Sequence, residues 1–278
     1  MTTPQDLDDI RNHLYTLAER WWIASLSVTA ATVMISVAAL WFDAPRWVTI
    51  AGLLSVFAPV AVAWAREIAS TNLLRADKCR RLILYADGLG HEISREELAQ
   101  VRAWAMGSIL ENAPFTRPYY SSEKAPGPQR LADIVTESAF FTEHLARKLE
   151  IGLWAAFGIA LAAAFTILYM IDLQTDITGQ LWGMIAKSIA TFIAFLISGD
   201  FLLLARKFSK LREEAHNAYQ RCAHFRNKQD LSVDEVRVVV EDYGIALLQA
   251  PPIPSWLYLA YRDPLNHIYR KSHSSGPS

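Results

Sequence analysis

Catalytic signatures and long-range charge are both scarce in this sequence. It has no Cys-x-x-Cys, no His-Glu-x-x-His, no phosphate-binding glycine loop and no Gly-x-Ser-x-Gly. The local marks of zinc, nucleotide-hydrolysing and serine-hydrolase chemistry are therefore missing. Cys79 and Cys222 are the only cysteines, too few for a disulfide framework, and both fall in segments read below as cytosolic, where thiols stay reduced. The net charge of −1 leaves no basic excess for a nucleic acid polymer. The seven histidines are scattered, and His216 and His224 lie eight apart on one helical stretch, about 12 Å, too far to share a metal without further ligands. No enzyme activity, cofactor or metal is expected.

Charge is also absent from particular places, and this second absence is informative. Trp21 to Phe42 has no ionisable residue for 22 positions, Trp47 to Ala65 none for 19, and Ile151 to Ile171 none for 21. A fourth apolar stretch, Ile177 to Ala205, carries only Lys187 and Asp200. A helix rises about 1.5 Å per residue, so about 20 residues cross the hydrocarbon of a bilayer. The first run is too long for the apolar core of a signal peptide and lacks a small-x-small cleavage site, so it is expected to stay in the mature chain. The expected fold is all-α and polytopic, with four transmembrane helices in two hairpins whose helices extend into a cytosolic helical region.

Basic residues set the expected orientation. Segment 66–150 carries 12 Lys and Arg and segment 206–278 carries 11, whereas 43–46 has one and 172–180 has none. Loops rich in Lys and Arg remain cytoplasmic, so both termini and the middle segment are expected in the cytosol. The resulting layout is a cytosolic helix at 1–20, a transmembrane hairpin at 21–65, a cytosolic helical connection at 66–150, a second hairpin at 151–205 and a cytosolic helical tail at 206–278. Pro4 and Asp6 mark a helix start that can run into the first span. Asp87-Gly88 reads as the end of the helix leaving the second span. Ser94 and Ser232, with Glu97 and Glu235 three residues on, match capping boxes, the first helix reaching about Glu111 and the second about Gln249. From Leu131 a helical pattern resumes into the third span, and the fourth span is read as continuing to about Asn227. Trp256, Tyr258, Tyr261 and Tyr269 predict that the last thirty residues pack against the helical stalk, with disorder only from about Ser272.

Several residues invite a functional reading. Ser25, Thr29, Thr32 and Ser36 fall within an arc of about 60° on one helix face. Such a hydroxyl stripe can line a pore, or can bond to the preceding turn or a neighbouring helix. Lys187, Thr191 and Ser198 share a face of the fourth stretch, where an ionisable group is costly unless it serves a path or reaches the interface. Gly152, Ala156, Ala160 and Ala164 form a small-residue ridge suited to close helix packing. Pro59 interrupts the second span and reads as a kink, structural or gating. The Pro-rich loop gathers Arg117, Tyr119, Tyr120, Lys124 and Arg130, a set able to hold phosphate and a stacked base, or equally to dock the loop on the stalk.

The two hairpins, the Tyr-Tyr-Ser and proline-containing loop, and Arg130-Leu-Ala-Asp-Ile-Val-Thr-Glu-Ser-Ala-Phe-Phe-Thr-Glu-His-Leu-Ala-Arg147 together resemble the four-transmembrane pore-forming effectors of bacterial nucleotide-signalling, cyclic-oligonucleotide anti-phage immunity. The likeness covers most of the chain in layout and about 30 residues in motif, and Phe140 and Phe141 stand where that family more usually has tryptophans. It implies a cytosolic sensor and a membrane part that assembles as a homo-oligomer and permeabilises the inner membrane. The expected partners are membrane lipid, further copies of the chain, and a cyclic nucleotide or cytosolic protein as signal. A constitutive small channel or transporter, and a membrane scaffold recruiting a cytosolic partner, remain the alternatives.

Overall fold

A computed structural model of the chain describes residues 4–42, 45–105, 122, 124–172, 179–198, 201–226, 228 and 230–274. Every regular element among them is an α-helix: α1 (Pro4–Trp41), α2 (Pro45–Leu89), α3 (Arg95–Ala105), α4 (Pro128–Asp172), α5 (Gly179–Ser198), α6 (Phe201–Phe225), α7 (Val233–Gln249) and α8 (Ser255–Ser274). Three of these contain stretches long and apolar enough to cross a membrane, Leu7–Trp41, Arg46–Leu89 and Pro128–Tyr169, and Leu181–Ile193 is a shorter apolar helix. In the most apolar window of the three, only 6%, 11% and 6% of residues are buried. Their apolar side chains point outward, as a lipid-facing helix requires.

The chain divides into two compact units, one made of residues 1–19, 69–147 and 207–278, the other of 20–68 and 148–206. The first unit has two apolar cores. Leu7, Ile10 and Leu14 of α1 close on Ala76, Cys79 and Ile83 of α2 and Val101 of α3. Leu84 of α2, Leu131, Ile134 and Val135 of α4, Ala215 and Cys222 of α6, and Val236, Val239 and Tyr243 of α7 form the second. Residues spaced three and four apart on each helix supply these contacts, the expected stripe of an amphipathic helix. Both cysteines are free and buried, and burial pushes the Cys79 thiol up to about 11 and the Cys222 thiol up to about 12.

In the second unit the buried residues are small or few, among them Ser25, Ala58, Ala65, Ala164 and Leu196. Exposed large apolar groups dominate it, including Met34, Val56, Phe57, Val60, Ile159 and Phe165. Trp21 and Trp64 meet edge to face at 5.3 Å between ring centroids, and the Trp41 indole donates to Ser188 Oγ at 2.9 Å.

Most helix starts match the sequence reading. α1 begins at Pro4 and runs unbroken into its apolar stretch, and α2 passes through Pro59 without ending. Both capping boxes form, with Ser94 Oγ accepting from Glu97 N at 3.1 Å and Ser232 Oγ from Glu235 N at 3.2 Å. The expected stop at Gly88 is displaced by two residues. Gly90 is the residue with positive φ, +70°, and its N–H donates to Ala86 O, the 5→1 bond of an αL ending, while His91 N–H donates to Tyr85 O. Gly88 lies inside α2 and serves a close approach instead: its carbonyl accepts from Gly127 N–H at 2.7 Å. The helix expected from Leu131 starts three residues earlier, at Pro128, and α8 persists to Ser274. α5 and α6 are separate elements, and Gly199 and Asp200 between them lie outside the described residues. So do the stretch from Met106 to Ser121 and the outer-loop residues 43–44 and 173–178. α8 docks through Tyr269, whose ring centroid is 5.3 Å from that of Phe140.

A Cβ at position 88 would sit 2.8 Å from Leu131 Cδ1 and 3.1 Å from Leu131 Cα. Only one of those atoms can swing away, so Gly88→Ala is expected to cost about 1–3 kcal/mol by forcing α2 from the start of α4. Thermal unfolding in detergent reads this as a lowered midpoint, and an unchanged midpoint would show that the approach is slack.

Candidate functional site

In the second unit the hydroxyl stripe is already engaged with its own helix. Ser25 Oγ donates to Trp22 O at 2.7 Å, and Thr29, Thr32 and Ser36 donate to the carbonyls four residues back at 2.8 Å. Ser25 is fully buried, whereas Thr29, Thr32 and Ser36 are half-buried. A donating hydroxyl keeps its lone pairs, so these oxygens still have acceptor capacity for a cation or water. Lys187 is exposed, and Thr191 donates to the Lys187 carbonyl at 2.8 Å. Ser198 is the last residue of α5. The small-residue ridge changes character along α4: Gly152 and Ala156 are exposed, Ala160 is half-buried and Ala164 is buried. Four-residue steps advance about 40° around a helix, which turns the two ends of the ridge toward different surroundings.

Of the loop candidates, Arg117, Tyr119 and Tyr120 lie outside the described residues. The other two hold structure together. Lys124 Nζ is 2.8 Å from Asp133, and Arg130 pairs with Asp87 at 2.7 Å while donating to the Lys124 carbonyl at 2.6 Å.

A large concavity belongs to the first unit, and the sequence reading did not anticipate it. It is a cleft of about 1660 Å³ walled by Arg11 and Tyr15 of α1, Asp77 and Arg80 of α2, Ser138, Phe141 and Thr142 of α4, Tyr243 of α7 and Tyr258 and Arg262 of α8. α7 and α8 are joined through Pro251 and Pro252, which also line it. Ser255 at the start of α8 is fixed by Glu19, whose carboxylate accepts from the Ser255 N–H at 3.1 Å and from its hydroxyl.

A buried polar cluster forms part of the wall. The Asp77 carboxylate accepts from Arg80 Nε at 2.9 Å through one oxygen and from Arg81 Nε at 2.7 Å through the other. Arg81 reaches on to Glu241, which also accepts from the Tyr85 hydroxyl at 3.1 Å. The Arg80 guanidinium lies over the Tyr243 ring, 5.5 Å from its centroid. That tyrosine's hydroxyl is 2.6 Å from Thr142 Oγ1 and donates to Ser138 O at 3.2 Å. Burial works against the charge on Arg80, but the Asp77 carboxylate, aided by Tyr15 and Tyr243, lifts its pKa above the ordinary arginine value. It is a permanent cation. Gly244 makes room for the pair, since a Cβ there would come within 3.0 Å of Arg81 Nη2 and 3.3 Å of Arg80 Nη2. Arg11, also buried, lies 2.6 Å from Asp8 and donates to Asn12 Oδ1 at 3.0 Å.

No single stretch of sequence carries this cluster as a motif. Its only local trace is Asp77, Arg80 and Arg81 at helical spacing between residues of the apolar face, Ala76 and Cys79. Among the described residues no group of histidine, cysteine and carboxylate side chains could hold a metal ion. Compared with known proteins, the chain matches no family model, no curated protein and no solved structure.

Asp77 faces two guanidiniums from a site only 3% exposed. Asp77→Asn removes the charge that balances them and is expected to destabilise the chain by about 3–5 kcal/mol. Chemical unfolding monitored by tryptophan fluorescence measures this, and a loss below about 1 kcal/mol, the range of a surface pair, would contradict it.

Proposed function

We propose that this chain is an oligomeric, signal-gated pore-forming effector of a bacterial inner membrane, with four spans and both termini in the cytosol. The observation that carries the reading is the path of the helices. α1, α2 and α4 each contribute one end to the first unit, where they wall the cleft, and the other end to the apolar stretches. A ligand that shifts these helices at the cleft acts on the same continuous helices that carry the apolar stretches.

The division of the chain also supports the span count. Residues 1–19, 69–147 and 207–278 share one compact unit, so the chain returns to its starting side after each apolar pair. An even number of crossings follows on this reading, which makes α5 the fourth. The basic residues concentrate in the segments of that unit, as the positive-inside rule asks of the cytosolic side. Four helices enclose no wide pore by themselves, so permeation requires several copies. The exposed Gly152 and Ala156 are a candidate contact between them. The resemblance to anti-phage effectors points the same way and supports a role in defence.

One observation favours a second reading. All four stripe hydroxyls donate to their own helix, which is also what a scaffold with simply packed spans would show. Membrane potential and dye entry during induced expression in bacteria separate the two. Wild type is expected to depolarise the cells, and a triple variant, Thr29→Val, Thr32→Val and Ser36→Ala, inserted to the same level, is expected to lose most of that effect because shape is kept and the oxygens are gone. Depolarisation retained by the variant would remove the stripe as the lining. A wild type that leaves the potential intact both on overexpression and during phage infection would favour the scaffold.

A further inference from the structure

One guanidinium in the cleft wall has an unused end. Arg80 is 6% exposed, and its Nε and Nη2 both face Asp77 Oδ1, at 2.9 and 2.7 Å. Neither terminal nitrogen makes a hydrogen bond among the described residues, Nη2 having only its ion-pair contact with Asp77 and Nη1 not even that. Asp77 cannot turn to serve it, because its second carboxylate oxygen is held by Arg81. A buried charged donor without an acceptor is costly, and native structures rarely leave one so. Arg80 is among the residues that line the cleft.

The surroundings indicate what would satisfy it. Arg11 places a second buried guanidinium on the same wall, and Tyr15, Phe141 and Tyr258 give it aromatic surface. Planar guanidinium forks match the oxygens of carboxylate and phosphate, and aromatic rings take a flat organic body. The cleft is larger than the about 300–1,000 Å³ typical of sites for drug-sized ligands, so a molecule of more than one ring fits.

We propose that the cleft binds a soluble organic oxyanion, a phosphate or carboxylate that accepts from Arg80 Nη1 while its flat part lies against Tyr15 and Tyr258. The proposal rests on reading the first unit as the side that receives the signal, and it names the chemical class of that signal. Arg80 is the selective element: it demands an acceptor, so a neutral molecule of the same shape leaves the donor unpaired.

The test uses the full chain in detergent with phenyl phosphate, benzoate and neutral phenol as probes, followed by saturation-transfer NMR and thermal shift. Phenyl phosphate, benzoate or both should bind saturably and raise the unfolding midpoint, and phenol should do neither. The response of each anion tells which oxyanion the site prefers. Arg80→Lys keeps a cation beside Asp77 but loses the fork, and should weaken binding by about tenfold or more. Arg221→Gln, at an exposed pair with Asp242, should leave binding unchanged and controls for general charge. The proposal fails if neither anion binds, in which case water fills the place at Nη1, if phenol binds as well as the anions, or if Arg80→Lys binds like wild type. Should Arg80→Lys unfold, the wild-type contrast between anions and phenol decides alone. Binding without any depolarisation in cells would keep this site and remove the pore, and depolarisation without binding would do the reverse.

Discussion

Backbone hydrogen bonding inside an apolar medium is the constraint from which the rest of this structure follows. A peptide group without a partner in hydrocarbon costs several kcal/mol, so a crossing segment must be helical from end to end. α1, α2 and α4 meet that demand with 38, 45 and 45 residues, far more than a crossing needs. The surplus forms the first unit. Its cores at Leu7, Ile10 and Leu14, and at Leu131, Ile134 and Val135, are the polar-side continuations of helices whose other ends expose Met34, Val60 and Ile159. The same rods thus change from outward-facing to inward-facing apolar stripes along their length.

Where these continuations converge, one carboxylate organises the polar interior. Asp77 is shared by Arg80 and Arg81, Arg81 joins α2 to Glu241 of α7, and Tyr243 links Arg80 to Ser138 and Thr142 of α4. Buried ion pairs seldom add net stability over apolar packing of the same volume. They do enforce a particular arrangement, because a shift of α2 against α7 separates Arg81 from Glu241 and a shift of α4 strands the Tyr243 hydroxyl. Such a cluster suits a unit that has to hold one state until a ligand favours another.

The three long apolar helices were legible from their lack of charge, the starts of α3 and α7 from Ser94 and Ser232, and the start of α1 from Pro4, since each depends only on near neighbours. The ending of α2 was misplaced for a physical reason. Gly88 and Gly90 look alike in sequence, and only the approach of Leu131 shows that the first is required for space and the second for its positive φ. The cleft was illegible for the same reason on a larger scale. Arg11, Arg80, Thr142 and Tyr243 are each more than 60 residues from the next, and nothing short of the packed helices brings them to one cleft. By contrast, Lys124 and Arg130, singled out because they sit in one loop, are taken up by Asp133 and Asp87.

The most direct test of this account is which side of the membrane the tail occupies. Single cysteines at positions 43, 175 and 276, in a chain with Cys79 and Cys222 replaced by alanine, would be probed with a membrane-impermeant maleimide on spheroplasts. Four crossings predict labelling at 43 and 175 in intact spheroplasts and at 276 only after permeabilisation. Labelling at 276 from outside would mean that α5 does not cross, and would contradict the shared side on which the proposed sensor and the proposed gating both depend.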